Sequence, residues 1–148
     1  MTRDYDSIGF APGEDGPEIV VNGQPLIERL REVERPFAER EGSPLIAGGY
    51  GPLPAAALLA NLTGQPDRIF ERCDGKVTLL VCNCGCEGCW DFVAEIEPRD
   101  DEVVWRGFEQ THRPLSDPDR AWRYDALGEL VFRRSDYDAA VRRLAARS

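Results

Sequence analysis

Alternation of apolar residues on both sides of a short cysteine-rich segment is the feature that most constrains this chain. The alternating residues are Val77, Leu79 and Val81 before the segment and Trp90, Phe92, Ala94 and Ile96 after it. A period of two is typical of a β-strand with one apolar face. The two runs are separated only by residues 82–89. They therefore predict an antiparallel hairpin with the cysteines at its turn.

Two more strands are predicted after this hairpin. Residues 98–101 form a turn-like Pro-Arg-Asp-Asp sequence, and residues 102–110 are expected to return as a third strand. Residues 128–133 are a fourth candidate, with Leu130 and Phe132 on one face. We expect an antiparallel sheet of about four strands.

Helices are predicted near both ends of the chain. The apolar stripe of the first helix, which should start near Pro25, comprises Leu26, Leu30, Val33 and Phe37. Pro36 falls within this stripe, so a kink or break is expected near Arg35. Residues 55–62 predict a short second helix, and Ser135 followed by Asp138 predicts a capping-box start for a last one. Hairpins combined with packed N-terminal and C-terminal helices indicate an α+β fold.

The domain organisation is expected to be simple. Residues 18–148 are predicted to form a single α+β domain, since this length suits one hydrophobic core. Residues 1–17 contain Pro-Gly and Gly-Pro pairs and predict either a loose N-terminal arm or a poorly formed hairpin. The Gly- and Pro-rich residues 42–54 are expected to be only a connector.

Charge and hydropathy exclude several classes of function. The formal net charge is −9, and an acidic surface repels nucleic acid. No apolar stretch is as long as a membrane span, and the N-terminus lacks the apolar region of a secretory signal. We expect a cytoplasmic protein with reduced cysteines, no nucleic-acid or membrane partner, and another protein as its partner. The single lysine, Lys76, is interpreted as a solvated surface amine.

Four of the five cysteines lie between Cys82 and Cys89. Zinc favours thiolate and imidazole ligands in a tetrahedron. If Glu97 pairs with Glu102 across the turn, Cys89 faces Gln110 and shares a face with the only histidine. The zinc ligands predicted in this way are Cys82, Cys84, Cys89 and His112, with Cys86 as a substitute.

Other interpretations of the cysteines stay open. They can be plain buried thiols, or Cys82 and Cys89 can form a disulfide in air. A thiol- or zinc-dependent enzyme, either a hydrolase or an oxidoreductase, would use the Cys82–Cys89 hairpin with His112, and Glu87 or Asp91 would orient the imidazole. No complete catalytic constellation is evident in the sequence. The leading hypothesis is therefore a small acidic protein-interaction module with a structural zinc knuckle.

Three motifs resemble a family of small uncharacterised bacterial proteins. They are Val21-Asn-Gly-x-x-Leu-Ile27, Cys82-x-Cys-Gly-x-x-Gly-Cys-Trp90 and Trp105-x-x-Phe-x-Gln-x-His-Arg113, and the likeness spans residues 18–146. Members of that family carry no assigned activity, so the resemblance implies a shared fold and no substrate. The position of Cys86 is usually not cysteine there, which favours the other three cysteines as ligands.

Overall fold

A five-stranded antiparallel sheet forms the centre of the fold. The computed structural model describes residues 4–63, 75–83 and 90–147. The strands of this sheet, in spatial order, are β4 (Tyr50–Pro52), β5 (Val77–Cys82), β6 (Phe92–Pro98), β7 (Glu102–Gln110) and β8 (Leu130–Arg133). A second antiparallel sheet contains β1 (Ile8–Ala11), β2 (Glu18–Val21) and β3 (Gln24–Pro25).

In the described parts of the chain, three α-helices cover the sheets. They are α1 (Leu26–Arg40), α2 (Ala55–Leu62) and α3 (Arg134–Arg147), and a 3-10 turn at Pro44–Ile46 precedes β4. Helix α1 buries Leu26, Leu30 and Val33 at helical spacing, as its apolar stripe predicts. Trp105 of β7 and Phe132 of β8 are fully buried, and both contact Tyr137 of α3. The apolar faces of sheet and helices thus share one core.

The α+β class and the antiparallel sheet are confirmed, but the strand count differs. The predicted connector at residues 42–54 contributes the edge strand β4, with Tyr50 opposite Cys82 and Pro52 opposite Leu80. Proline is tolerated at a sheet edge, where one side of the strand makes no ladder hydrogen bonds. Composition alone suggested a loop because it does not show that a partner strand is available.

Helix boundaries differ from the predictions in two places. Helix α1 continues through Pro36 to Arg40, so of the predicted kink or break near Arg35 the break does not occur. Pro36 removes one backbone hydrogen bond from the helix, and the remaining hydrogen bonds of the last turns still hold it together. Helix α3 begins at Arg134, so Ser135 lies in its first turn instead of preceding it.

The N-terminal segment forms a hairpin joined to the large sheet. Strand β1 pairs with β2 from Ile8 opposite Val21 to Ala11 opposite Glu18. The Asp6 amide donates to the Val131 carbonyl, and the Val131 amide donates to Asp6 Oδ2, both at 2.8 Å. Residues 8–11 are therefore paired with β2, while the boundary predicted at residue 17 stays a prediction.

The predicted register of β6 and β7 is wrong. Glu97 pairs with Val104 instead of Glu102, because Pro98 still belongs to the strand and pairs with Val103. A further one-residue shift lies between the Glu95–Arg106 and Val93–Glu109 pairs. Gly107 lies in this bulge with φ +63°. A residue that has a side chain is strained in this conformation, whereas glycine is not.

We expect Gly107→Ala to lower the free energy of unfolding by about 1–2 kcal/mol, because an L-residue is strained at this positive φ. Urea denaturation measures the change. Gly9→Ala is the matched control: a Cβ there would have no neighbour within 4 Å. It should change stability by less than about 0.5 kcal/mol. Equal effects of the two substitutions would contradict the role given to Gly107.

Candidate functional site

Three neighbouring strands bring the two ends of the cysteine-rich segment and His112 to one end of the sheet. Leu80 pairs with Phe92, and Phe92 pairs with Gln110. Continuing both ladders by two residues sets Cys82 beside Trp90 and Trp90 beside His112. We call Cys82, Trp90 and His112 the sheet-end row. The β6–β7 ladder does continue past Phe92, because the Thr111 amide donates to the Asp91 carbonyl at 3.1 Å, whereas the position of Cys82 beside Trp90 extends the β5–β6 register from Leu80 and Phe92.

This placement corrects the reason given for the position of His112. Phe92, and not Cys89, lies opposite Gln110. The bulge at Gly107 adds a residue to β7, and His112 consequently lies beside Trp90, the first residue after the cysteine-rich segment. The histidine is next to that segment, but through a different register from the one predicted.

His112 lies against one side of a cluster of aromatic rings and one arginine. Its imidazole is nearly parallel to the Trp90 ring, with centroids 5.9 Å apart, and Trp122 meets Trp90 edge-on at 5.5 Å. The Arg113 guanidinium carbon lies 5.3 Å from the Trp90 ring centroid and 5.6 Å from that of Trp122. These distances allow cation–π attraction to both rings.

Glu41 fixes this arginine in place. Arg113 donates to the two carboxylate oxygens of Glu41 through Nε at 2.9 Å and Nη2 at 2.7 Å, and Trp122 Nε1 donates at 2.7 Å. The hydrogen bonds from Arg113, assisted by that from Trp122, lower the pKa of Glu41. The carboxylate therefore joins the end of α1 to the segments after β7.

Helix α1 contributes one buried carboxylate, that of Glu34. Glu34 is 0% exposed. Its Oε1 accepts from the Gly48 amide at 2.8 Å, and its Oε2 accepts from the hydroxyls of Tyr124, at 2.5 Å, and Tyr50. Burial raises the pKa of Glu34, although all three donors lower it. Burial also raises the pKa values of Tyr50 and Tyr124, so both hydroxyls remain protonated donors.

Gln110 is buried like Glu34, and its side chain contacts the backbone of His112 in the sheet-end row. Its side chain is 0% exposed, and its Oε1 accepts from the His112 amide at 2.6 Å. This hydrogen bond fixes the backbone where β7 ends and His112 begins. The Nε2 atom of Gln110 and the Nε1 atom of Trp90 are buried and have no hydrogen-bond partner among the described residues.

The structure describes only part of the predicted metal site. Cys82 is a half-buried free thiol at the end of β5, and His112 is exposed after β7. Cys84 and Cys89, together with Cys86 and Glu87, lie outside the described residues. Within residues 4–63, 75–83 and 90–147, no group of three His, Cys, Asp or Glu side chains could hold a metal ion.

Two residues have surroundings that the sequence did not predict. Lys76 is not a solvated amine: its Nζ lies 2.9 Å from Glu109 Oε1, and the two side chains are 14% and 13% exposed. Glu34 was overlooked, although one signal was present. It lies four residues after Leu30 and next to Val33, so it shares the buried face of the helix.

Comparisons with protein families, curated proteins and solved structures give no match for this chain. The helices among the described residues include none with the length and apolar character needed to cross a membrane.

Glu34→Gln should change how stability depends on pH. The pKa of Glu34 in the folded state is raised above its ordinary value of 4.5, so the folded state binds more protons between the two pKa values. The Glu34 contribution to wild-type stability consequently decreases as the pH rises through that interval. Glutamine does not titrate, and we expect the variant to gain stability relative to wild type across the same interval.

Urea unfolding of wild type and variant between about pH 4.5 and 8 tests this expectation, because one pKa unit corresponds to about 1.4 kcal/mol. Glu39→Gln, at an exposed position of the same helix, is the matched control. A stability difference between wild type and Glu34→Gln that is the same at every pH would mean that the pKa of Glu34 is not raised in the folded state.

Proposed function

We propose that this protein is a non-enzymatic protein-interaction module whose cysteine hairpin is a structural zinc knuckle. The zinc ligands in this proposal are Cys82, Cys84, Cys89 and His112. The observation that supports it is the sheet-end row, in which both flanks of the cysteine-rich segment and the only histidine meet across three strands. Thiolates and an imidazole gathered at one hairpin are a donor set that suits zinc.

The interaction part of the proposal rests on the surface around the row. Leu45, 95% exposed, lies in the turn before β4, and Leu115, 43% exposed, lies in the loop after β7. Both segments adjoin the same end of the sheet. They are the large apolar side chains exposed among the described residues. Tryptophan and arginine, which form the neighbouring cluster, are enriched where proteins bind one another.

Protein purified without chelator is expected to contain about one zinc ion per chain, measured by elemental analysis. Cys82→Ser and His112→Ala should each lose most of the metal, because a four-ligand structural site depends on each ligand. Cys73→Ser and Cys86→Ser are matched controls that should retain it. His112→Ala is the most informative variant. Trp90 lies between Cys82 and His112 in the row, so His112 is the proposed ligand that most needs a direct test.

Two results would reject this ligand set. Zinc retained by His112→Ala but lost from Cys86→Ser would assign the fourth position to the cysteine. Absence of zinc from wild-type protein, even after refolding with the metal, would leave plain thiols.

Affinity capture from the source cell, with Leu45→Glu as the test variant, examines the interaction. This side chain is almost fully exposed, so the substitution should leave the fold intact while placing a charge in the apolar surface. A partner retained by wild type should be lost by Leu45→Glu. It should still bind Ala56→Glu, the matched control at an exposed position of α2. Recovery of no partner, together with turnover of a small substrate, would overturn the proposal.

The enzymatic alternative is supported by one observation: a free Cys82 thiol lies at the same sheet end as His112. A thiol enzyme needs a reactive thiolate near neutral pH. Rapid alkylation of one cysteine in metal-free protein would favour it. Uniformly slow alkylation of Cys82, Cys84 and Cys89 would remove the thiol version.

A further inference from the structure

A cleft of about 630 Å³ opens between the C-terminal end of α1 and the segment that precedes β8. Its charged and aromatic lining includes Phe37, Arg40, Glu41, Asp119, Arg120 and Arg123. Trp122 separates it from the rings around His112, because this residue lines the cleft and also contacts Trp90. The volume is within the range of small-ligand sites.

The charge of the cleft is opposite to that of the whole chain. Three arginines line it against two carboxylates, while the formal net charge of the protein is −9. One of these carboxylates, Glu41, is already neutralised by Arg113. The cleft is therefore a cationic region on an acidic protein, a setting that favours an anionic ligand.

Two of the arginines have donors available for a ligand. Arg120 and Arg123 are exposed, and neither forms a salt bridge or a side-chain hydrogen bond with a described residue. Arg40 differs, because its guanidinium lies 4.7 Å from the Phe37 ring centroid and its Nε donates to the Pro36 carbonyl. Arg40 is thus held at the rim, while the other two can turn toward a bound group.

The donor type indicates the class of ligand. A guanidinium presents a planar fork of N–H groups that matches phosphate oxygens, and a phosphate monoester carries close to two negative charges at neutral pH. Phe37 is partly exposed beside these arginines, with Arg40 over its ring and Trp122 stacked against it, so an organic group would contact the part of the side chain that is still exposed. We infer that this cleft binds a phosphate monoester, with Arg120 and Arg123 contacting the phosphate and Phe37 contacting the organic group.

This site does not depend on zinc or on the surface around Leu45, so its failure would leave the zinc and capture experiments unaffected. The same phosphate chemistry has two sources, a free phosphorylated metabolite and a phosphorylated serine of another protein. A small probe and a peptide probe distinguish them.

Titration calorimetry with phenyl phosphate is the primary test. We expect one molecule per chain with a Kd below about 1 mM at low salt, and binding that weakens as salt increases. The double variant Arg120→Ala/Arg123→Ala should weaken binding at least about tenfold. The control is Arg142→Ala/Arg143→Ala, which removes two exposed arginines of α3 outside the cleft. It should keep Kd within about twofold of wild type.

Phe37→Leu separates a defined site from general charge attraction. It should weaken phenyl phosphate more than inorganic phosphate, because only the former has a ring to contact residue 37. A phosphoserine peptide that binds more tightly than phenyl phosphate would support the site and assign it to a protein ligand; weaker peptide binding would support a metabolite. Unsaturable binding, or equal affinities of wild type and Arg120→Ala/Arg123→Ala when both have native circular dichroism, would overturn the inference.

Discussion

The buried carboxylate of Glu34 is the interaction on which the arrangement of the sheet end depends. It joins α1 to the Gly48–Tyr50 segment and to Tyr124, which are distant in the sequence. A buried acceptor left without donors costs several kcal/mol, so these three segments are stabilised as one unit. Because Tyr50 pairs with Cys82, the same carboxylate helps to position the strand that leads into the cysteine-rich segment.

A second constraint acts within strand β7. The bulge at Gly107 shifts β7 by one residue, and that shift sets His112 beside Trp90. Without the extra residue, side chains after it would exchange faces, because the pleat has a period of two. Gln110 then holds the His112 backbone, and Glu41 holds the neighbouring Arg113. Trp122 contacts Trp90 and also lines the cleft with Arg40, Arg120 and Arg123. It therefore lies between the sheet-end row and that cleft.

Local patterns predicted most of the elements and the antiparallel pairing of β5, β6 and β7, but not the register of that pairing or the edge strand. The 102–110 alternation and the 55–62 apolar run correspond to β7 and α2, since both signals are contained within single segments. Strand β4 was missed because its three residues acquire a strand conformation only beside β5. The site shows the same division: the sequence points to His112 because it is the only imidazole, whereas the Glu34 network joins residues whose separation conceals their contact.

Residue order and residue type were enough to predict the α+β class, the order of strands and helices after β4, and the concentration of cysteines between two paired strands. These properties follow from periodicity and residue type, which are local. Tertiary structure alone decided the register that places His112 beside Trp90, the burial of Glu34, and the grouping of Arg40, Arg120 and Arg123 around one cleft. Each of these depends on a bulge, a buried hydrogen bond or a loop path, where contacts between distant segments outweigh local preference.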